Sequence, residues 1–244
     1  MSKKKILITG ANNGLGYDIV KNLIKDRNYK IIGITNKNKP LKSLLKKIET
    51  IQVDLLNNED ISSLSKNFIN HNIDTIVHCA GGGLGFRDND INLKKLEKLM
   101  QFNFYSIFEL NKILIRNKKK DNRLNIIHIG SLASTHSTAS VGYSASKATL
   151  ISYNKNLAYN FFKNKVFTKL VIPGSFLSSN GSMHRLKDKK KKVFNKLEKN
   201  LISKKMLKSN DLFPLIKFLF SDRSDLLTGS ILNATNLESL NNHS

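Results

Sequence analysis

The stretch that most constrains this chain lies at its start. A short apolar run, Ile6-Leu7-Ile8, ends in Thr9-Gly10-Ala11-Asn12-Asn13-Gly14-Leu15-Gly16 and passes directly into a helical pattern over 14–25. A strand, a glycine-rich turn and a helix in immediate succession open a βαβ unit. The pattern then recurs. Strands are expected at 5–9, 30–35, 50–53, 73–79, 125–131, 166–172 and 230–233. Helices are expected at 14–25, 41–48, 59–70, 93–116, 142–162 and 211–220, with 93–116 breaking into two near 100–103. Strands joined through helices pair in parallel, and the helices then cover both faces of the sheet. Such strands should be apolar on both sides, as Ile6-Leu7-Ile8 and Ile31-Ile32 are. The expected fold class is α/β: a doubly wound parallel sheet with helices on both faces.

Little in the chain suggests subdivision. Its 244 residues suit one α/β domain or at most two small ones, and with three prolines and no Gly/Ser-rich stretch no linker is evident. The 40% hydrophobic content supports a sizeable core. No apolar run reaches the roughly 18 residues needed to cross a bilayer. The basic start runs into a strand too short for a signal segment. Cys79 is the single cysteine, so no internal disulfide can form. These features point to a soluble cytoplasmic protein without a membrane or metal partner. The formal net charge of +23 raises the question of nucleic acid. The lysines are scattered, however, and no aromatics are interleaved as a stacking platform requires, so the charge reads as a solvated basic surface.

Two stretches carry chemistry. Glycines in the first turn permit backbone conformations closed to other residues, and the following helix N-terminus offers unpaired N–H groups to a pyrophosphate. The spacing is G-x-x-x-G-x-G, and its place between strand and helix argues for a nucleotide rather than a mere tight connection. Where the second strand ends, Thr35-Asn36-Lys37-Asn38-Lys39 contains no acid to bind the ribose hydroxyls of NAD and two lysines to meet a 2′-phosphate. NADP(H) is therefore favoured over NAD(H). The second stretch is Tyr143-Ser144-Ala145-Ser146-Lys147 on an expected helix. Residues four apart share a helix face, so the phenol and the ammonium can serve one site. A free tyrosine has a pKa near 10, and a nearby ammonium favours its phenolate. Ser131, at the end of a strand, could hydrogen-bond a substrate oxygen. Taken alone, Tyr143 and Lys147 would be an ordinary surface helix pair.

The glycine turn, Asn103, Ser131 and the Tyr143/Lys147 pair together resemble, in order and spacing, the classical short-chain dehydrogenase/reductase family, from Lys5 to about Asn233. The resemblance implies a single Rossmann-like domain over 1–244. Its cofactor part would span about 1–130, its catalytic and substrate part about 131–244, and its lid about 176–206. It implies an oxidoreductase in which Tyr143 gives a proton to a developing alkoxide. Lys147 would lower the tyrosine's pKa and hold the nicotinamide ribose. Ser131 would orient the carbonyl, and Asn103 would support a water relay from Lys147. Cofactor contacts are implied at Thr9, Gly10, Asn12, Asn13, Gly14, Leu15, Gly16, Thr35 and Asn36. Further contacts are implied at Asp54 with Leu55 near the adenine, at Ala80, Gly81, Tyr143, Lys147, Pro173 and Gly174, and at Ser178, where a threonine is common. Two departures stand out: His78-Cys79 replaces the family's Asn-Asn before Ala80-Gly81, and Asn233-Ala234-Thr235-Asn236 lacks its Asp-Gly-Gly. Cys79 needs no function beyond packing, and His78 reads as structural rather than catalytic.

The substrate would be a small carbonyl or alcohol. His184, Arg185 and the lysine run in the lid could favour an anionic or carrier-bound one, of the 3-oxoacyl-carrier-protein or nucleotide-sugar type, or could equally be solvent-facing. Helices like 93–116 and 142–162 form the dimer face in relatives, so a homodimer or homotetramer is implied, and Phe102, Phe104 and Phe108 suit such packing or a monomer core. Two other classes stay open. A non-catalytic NADP-binding regulator would keep the turn and lose Tyr143 or Lys147. A nucleic-acid-binding protein would bind duplex salt-dependently without nicotinamide.

Overall fold

The computed structural model describes residues 3–68, 72–86, 90–136 and 139–240. The first half of the chain gives β1 (Lys4–Thr9), α1 (Gly14–Leu23), β2 (Tyr29–Thr35), β3 (Glu49–Gln52), α2 (Asn58–Phe68), β4 (Thr75–His78), α3 (Leu93–Met100) and α4 (Ser106–Asn117). There follow β5 (Leu124–Ile129), α5 (Val141–Phe161), β6 (Val166–Pro173), β7 (Phe176–Leu177), α6 (Ser182–Lys189), α7 (Lys191–Asn200), β8 (Leu207–Lys208), α8 (Ser209–Phe218) and β9 (Ile231–Ala234). The seven-stranded sheet has the order β3-β2-β1-β4-β5-β6-β9, and its pairs are all parallel. This is the expected Rossmann-like α/β fold. After β3 the chain crosses back to place β4 on the other side of β1, so the winding reverses there. At such a switch point the connections leave in opposite directions and open a crevice beyond the strand ends.

Strand periodicity assigns the two faces. Ile6 and Ile8 pack with Leu15, Ile19 and Leu23 of α1 and Ile216 of α8. Leu7, between them, packs into the opposite layer with Ile61 and Leu64 of α2 and Leu110 and Leu114 of α4. Alternate residues of one strand thus serve both layers, which is why β1 must be apolar throughout. Ile19 is fully buried; truncating such a side chain to alanine costs about 2–5 kcal/mol.

Four elements differ from the sequence reading. The apolar residues over 41–48 have helical spacing, yet only a 3₁₀ turn, Ser43–Lys47, forms. The run is too short to sustain a helix, and β3 begins at Glu49 and draws the chain into extension. The expected break in 93–116 is a π turn, Gln101–Tyr105, in which the Ser106 N–H bonds Gln101 O five residues back, so the helix widens rather than stops. Ser131 lies beyond β5 and caps a 3₁₀ turn, Leu132–Ser134. The lysine-rich stretch after β7, for which the sequence reading named no helix, forms α6 and α7, whose Met183, Leu186 and Phe194 pack inward against Leu201 and Met206. Residues 69–70 of the expected helix 59–70 lie outside the described residues. No described helix is long and apolar enough to cross a membrane.

Candidate active site

The crevice is built from the ends of β1, β4, β5 and β6. At β1, Gly10 adopts φ +68°, and a Cβ there would lie 3.1 Å from the Ala80 backbone. The Ala80 N–H donates to Thr9 Oγ1 at 3.0 Å, which locks the first turn to the end of β4. A Cβ on Gly16 would stand 2.6 Å from Gly10 O, so only glycine lets α1 start this close to the turn. Asn13 is extended and exposed, and its side chain does not cap α1. The first N–H groups of α1 are thus left for an outside acceptor, except that of Gly14, which donates to Ser179 O at 2.7 Å. A Cβ on Gly14 would enter open space, with Ser178 Oγ 3.8 Å away. Thr35 Oγ1, at the end of β2, is buried without a hydrogen-bond partner. An uncapped helix start, an open backbone cradle and an orphaned hydroxyl fit a dinucleotide.

Other residues of the expected cofactor set face elsewhere. The side chains of Leu15 and Leu55 are buried in the two core layers, so only their backbones could reach a ligand. Asn12 is buried and spans two loops: its amide donates to Pro40 O at 2.8 Å and its carbonyl accepts from Lys42 N at 3.1 Å. Asn36 turns the loop after β2 by accepting from Asn38 N at 2.7 Å. Asp54 accepts from Leu56 N at 3.0 Å and meets Asn38 Nδ2 at 3.5 Å, so the β2 and β3 ends share a rim. Lys37 is paired with Asp60 at 2.6 Å, whereas Lys39 is exposed. The two lysines expected to receive a 2′-phosphate are both exposed, and Lys37 is already engaged by a carboxylate.

On the chemical side, Tyr143 and Lys147 are one turn apart on α5, the phenol half-buried and the ammonium buried. Lys147 Nζ donates to Ile129 O at 3.0 Å. A Cβ on Gly81 would lie 2.9 Å from both Lys147 Nζ and Asn103 Oδ1, so these two groups flank Gly81. Asn103 sits in the π turn, fully buried; its amide donates to Leu99 O and Gly82 O, and its carbonyl accepts from Gly82 N. Burial pushes the Lys147 ammonium down to about 8, with the neighbouring Cys79 opposing the shift. Burial also raises the Tyr143 phenol above its ordinary value, while hydrogen bonding with Ser131 pulls it down. The expectation that Lys147 would lower this phenol is not met by the protein groups alone, because desolvation outweighs the favourable contacts.

His78, in place of the family's asparagine, belongs to a buried chain. Its Nε2 meets Asn111 Oδ1 at 2.8 Å, and Asn111 Nδ2 reaches His128 Nε2 at 3.1 Å. His128 Nδ1 meets Asn154 Oδ1 at 3.2 Å. The two imidazoles stack with centroids 5.4 Å apart. Burial drives His78 down to about 3 and His128 to about 4. The chain joins β4, α4, β5 and α5. Each of these elements carries, leads to or continues from one that holds Gly81, Asn103, Ser131 or Lys147. Sequence reasoning missed His128, Asn111 and Asn154; the available signal was His128, one of two polar residues with Asn125 in the strand 124–129.

The far wall comes from β6 and the tail. Pro173 and Gly174 close β6, and Gly174 N donates to Ala234 O at 3.1 Å. Glu238 takes both the N–H and the hydroxyl of Ser175, and His136 Nε2 reaches Ser239 O at 2.9 Å. The segment without Asp-Gly-Gly therefore folds back across the loops that follow β5 and β6. Asp18, Ser175 and Glu238 also lay outside the sequence reading. An acid on the buried side of α1 was the one visible clue, for Asp18.

A family model described as short chain dehydrogenase matches residues 4–190. The chain is 28% identical to a 3-oxoacyl-[acyl-carrier-protein] reductase FabG of Buchnera aphidicola subsp. Baizongia pistaciae, over 95% of this chain and 96% of that protein. It is 30% identical to the FabG of Rickettsia prowazekii, over 96% of this chain and 95% of that one. Among solved structures, a short chain dehydrogenase family protein from Francisella tularensis superposes with a TM-score of 0.83 at 22% identity, covering 98% of this chain and all of its own.

Proposed function

The chain belongs to the short-chain dehydrogenase family of oxidoreductases, and from that premise we propose that it reduces a carbonyl to an alcohol with NADPH, using Tyr143 as the proton donor. The observation that carries this reading is that the Tyr143 phenol hydrogen-bonds with Ser131 and lies one helical turn from Lys147, whose ammonium stands close against Gly81. The N–H groups of Leu15 and Gly16 and the hydroxyl of Ser178 would hold the pyrophosphate. Thr35, Asn36 and Lys39 would hold the adenosine ribose and its phosphate, with Asp54 and the Leu55 backbone at the adenine. Ala80, Gly81, Pro173 and Gly174 would line the nicotinamide half. When bound, the nicotinamide supplies the hydride.

The chain's own residues manage charge and proton. Ser131 Oγ donates to the carbonyl oxygen and stabilises the charge that develops there. Tyr143 Oη gives its proton to that oxygen. A phenol raised by burial stays protonated at neutral pH, which suits donation and hence reduction. Lys147, charged below about 8, supplies the positive field that stabilises the phenolate left behind and reaches toward the ribose. Asn103 fixes Gly82 and the π turn beside Lys147, where a proton path from the lysine to solvent would begin.

The substrate reading follows from the lid. Lys187, Lys189, Lys190, Lys191, Lys192 and Lys196 are exposed on α6 and α7 and the link between them. A basic rim next to the crevice attracts an acidic carrier. Together with the activity of the 3-oxoacyl-carrier-protein reductases that the chain resembles, it supports a 3-oxoacyl group delivered on acyl-carrier protein. Exposed Tyr105 of the π turn, Phe108 of α4 and Tyr159 of α5 suit a homo-oligomeric face, which size-exclusion chromatography would test. The deciding experiment is a carbonyl panel read by consumption of NADPH: 3-oxoacyl-carrier-protein, the same acyl group on a small thiol, a nucleotide-linked keto sugar and simple ketones. Fastest turnover of the carrier-linked substrate, weakening with salt, is expected. Equal use of the small thioester would remove the carrier, and no NADPH consumption with any carbonyl would remove the reaction.

A further inference from the structure

Asp18 lies outside the cofactor cradle and the proton-donating group, yet its carboxylate is buried on α1 and accepts three hydrogen bonds. Ser179 donates twice, through its N–H at 3.0 Å and its hydroxyl at 2.5 Å, and the Ser209 hydroxyl donates at 2.6 Å. These serines bracket α6 and α7, the body of the lid. Ser179 follows β7, and Ser209 follows β8, the strand that pairs with β7. Between them α6 and α7 pack around their own small core of Phe194, Leu201 and Met206, against Leu177, Met183 and Leu186. A segment with its own core moves as a body. With both ends on one carboxylate, such a body would turn about a point instead of peeling from one end. The Gly14 N–H to Ser179 O bond ties the same point to the first turn of α1.

We propose that Asp18 is a positioning residue, the hinge pin that holds both ends of the 179–209 flap on the helix beneath the cofactor cradle. The flap then closes over the crevice as one unit from a fixed base. The proposal rests on the reading of this segment as the substrate cover. It differs from a general stabilising role in what its loss disturbs. The ends should come free while the sheet stays intact, and substrate capture should suffer more than proton transfer.

The test is hydrogen exchange on the full-length free protein, followed by steady-state kinetics, for Asp18→Ala, Asp18→Asn and Ser209→Ala. Amides across 179–209 in Asp18→Ala should exchange about tenfold faster or more, with β4, β5 and β6 unchanged. Asp18→Asn keeps one acceptor oxygen and should fall between alanine and wild type. Ser209→Ala should loosen the exit side of the flap and leave the Ser179 side protected, and it carries the test if Asp18→Ala fails to fold. With the carbonyl from the substrate panel, Asp18→Ala should raise KM about fivefold or more and keep kcat within about twofold. Unchanged flap exchange, exchange rising equally through the sheet, or a loss in kcat at constant KM would each overturn the hinge. Failure of every carbonyl in the panel would remove the enzymatic reading, and the exchange data would still decide the anchor.

Discussion

The stacked His78 and His128 pair should make the fold acid-labile in a defined window. Each imidazole has an ordinary pKa of 6.5 and is driven to about 3 or about 4 in the folded protein, first by burial. The unfolded chain therefore binds more protons than the folded one between about pH 6.5 and 4, and stability falls as pH falls through that range. From pH 7 to pH 5 the loss is about 2 kcal/mol per imidazole, or about 4 kcal/mol for the pair. That is a large part of a typical stability of about 5–15 kcal/mol. The perturbation is the double variant His78→Asn/His128→Asn, which removes both titrating groups and keeps hydrogen-bonding capacity at each site. The assay is urea unfolding at pH 7, 6 and 5, with the two proteins compared at each pH. The double variant starts less stable, but its midpoint should fall less than that of the wild type by about 1–2 M across the range, for a slope of about 2–3 kcal/mol per molar. Exposed groups titrate in both proteins and cancel in the comparison. Parallel losses in the two proteins would refute the buried-imidazole reasoning.

Three further outcomes follow from the site. Gly16→Ala places a Cβ against the Gly10 and Thr9 carbonyls, where backbone cannot give way; it should cost about 1–3 kcal/mol in unfolding free energy and weaken NADPH binding measured by fluorescence titration. Lys39→Asp should lower NADPH affinity about tenfold or more relative to NADH, and an unchanged ratio would take Lys39 out of cofactor choice. The rate of reduction should decline as pH rises through about 8, as Lys147 loses its proton, and Lys147→Met should abolish that limb in a pH–rate profile.

What was legible in the sequence was what is local. The β1–turn–α1 unit is read from eight consecutive residues and an apolar run, and the structure keeps it nearly residue for residue. Tyr143 and Lys147 share a face because helical spacing puts them there. The parallel pairing follows from the alternation of strands and helices. The rest depends on contacts between distant parts of the chain. Asp18 meets Ser179 and Ser209 across 161 and 191 residues of sequence, and no periodicity in either segment announces the other. Leu15 and Leu55 were placed at the cofactor by position in a motif, while their apolar side chains are drawn into the core. The π turn at Asn103 was legible only as a break near 100–103, because the apolar pattern on both sides does not say whether the helix stops or widens by one residue. The sequence reading gave the Tyr143 shift the opposite direction, because the burial that raises it depends on how much water the folded crevice excludes.

The central claim is that Tyr143 is the group that gives its proton to the reduced carbonyl. It is tested most directly by turnover of Tyr143→Phe beside the wild type, at saturating NADPH and with the best substrate of the panel. In Tyr143→Phe, kcat should fall about 100-fold or more, while NADPH affinity and thermal unfolding stay close to wild type. Turnover by Tyr143→Phe at a near-wild-type rate would contradict it.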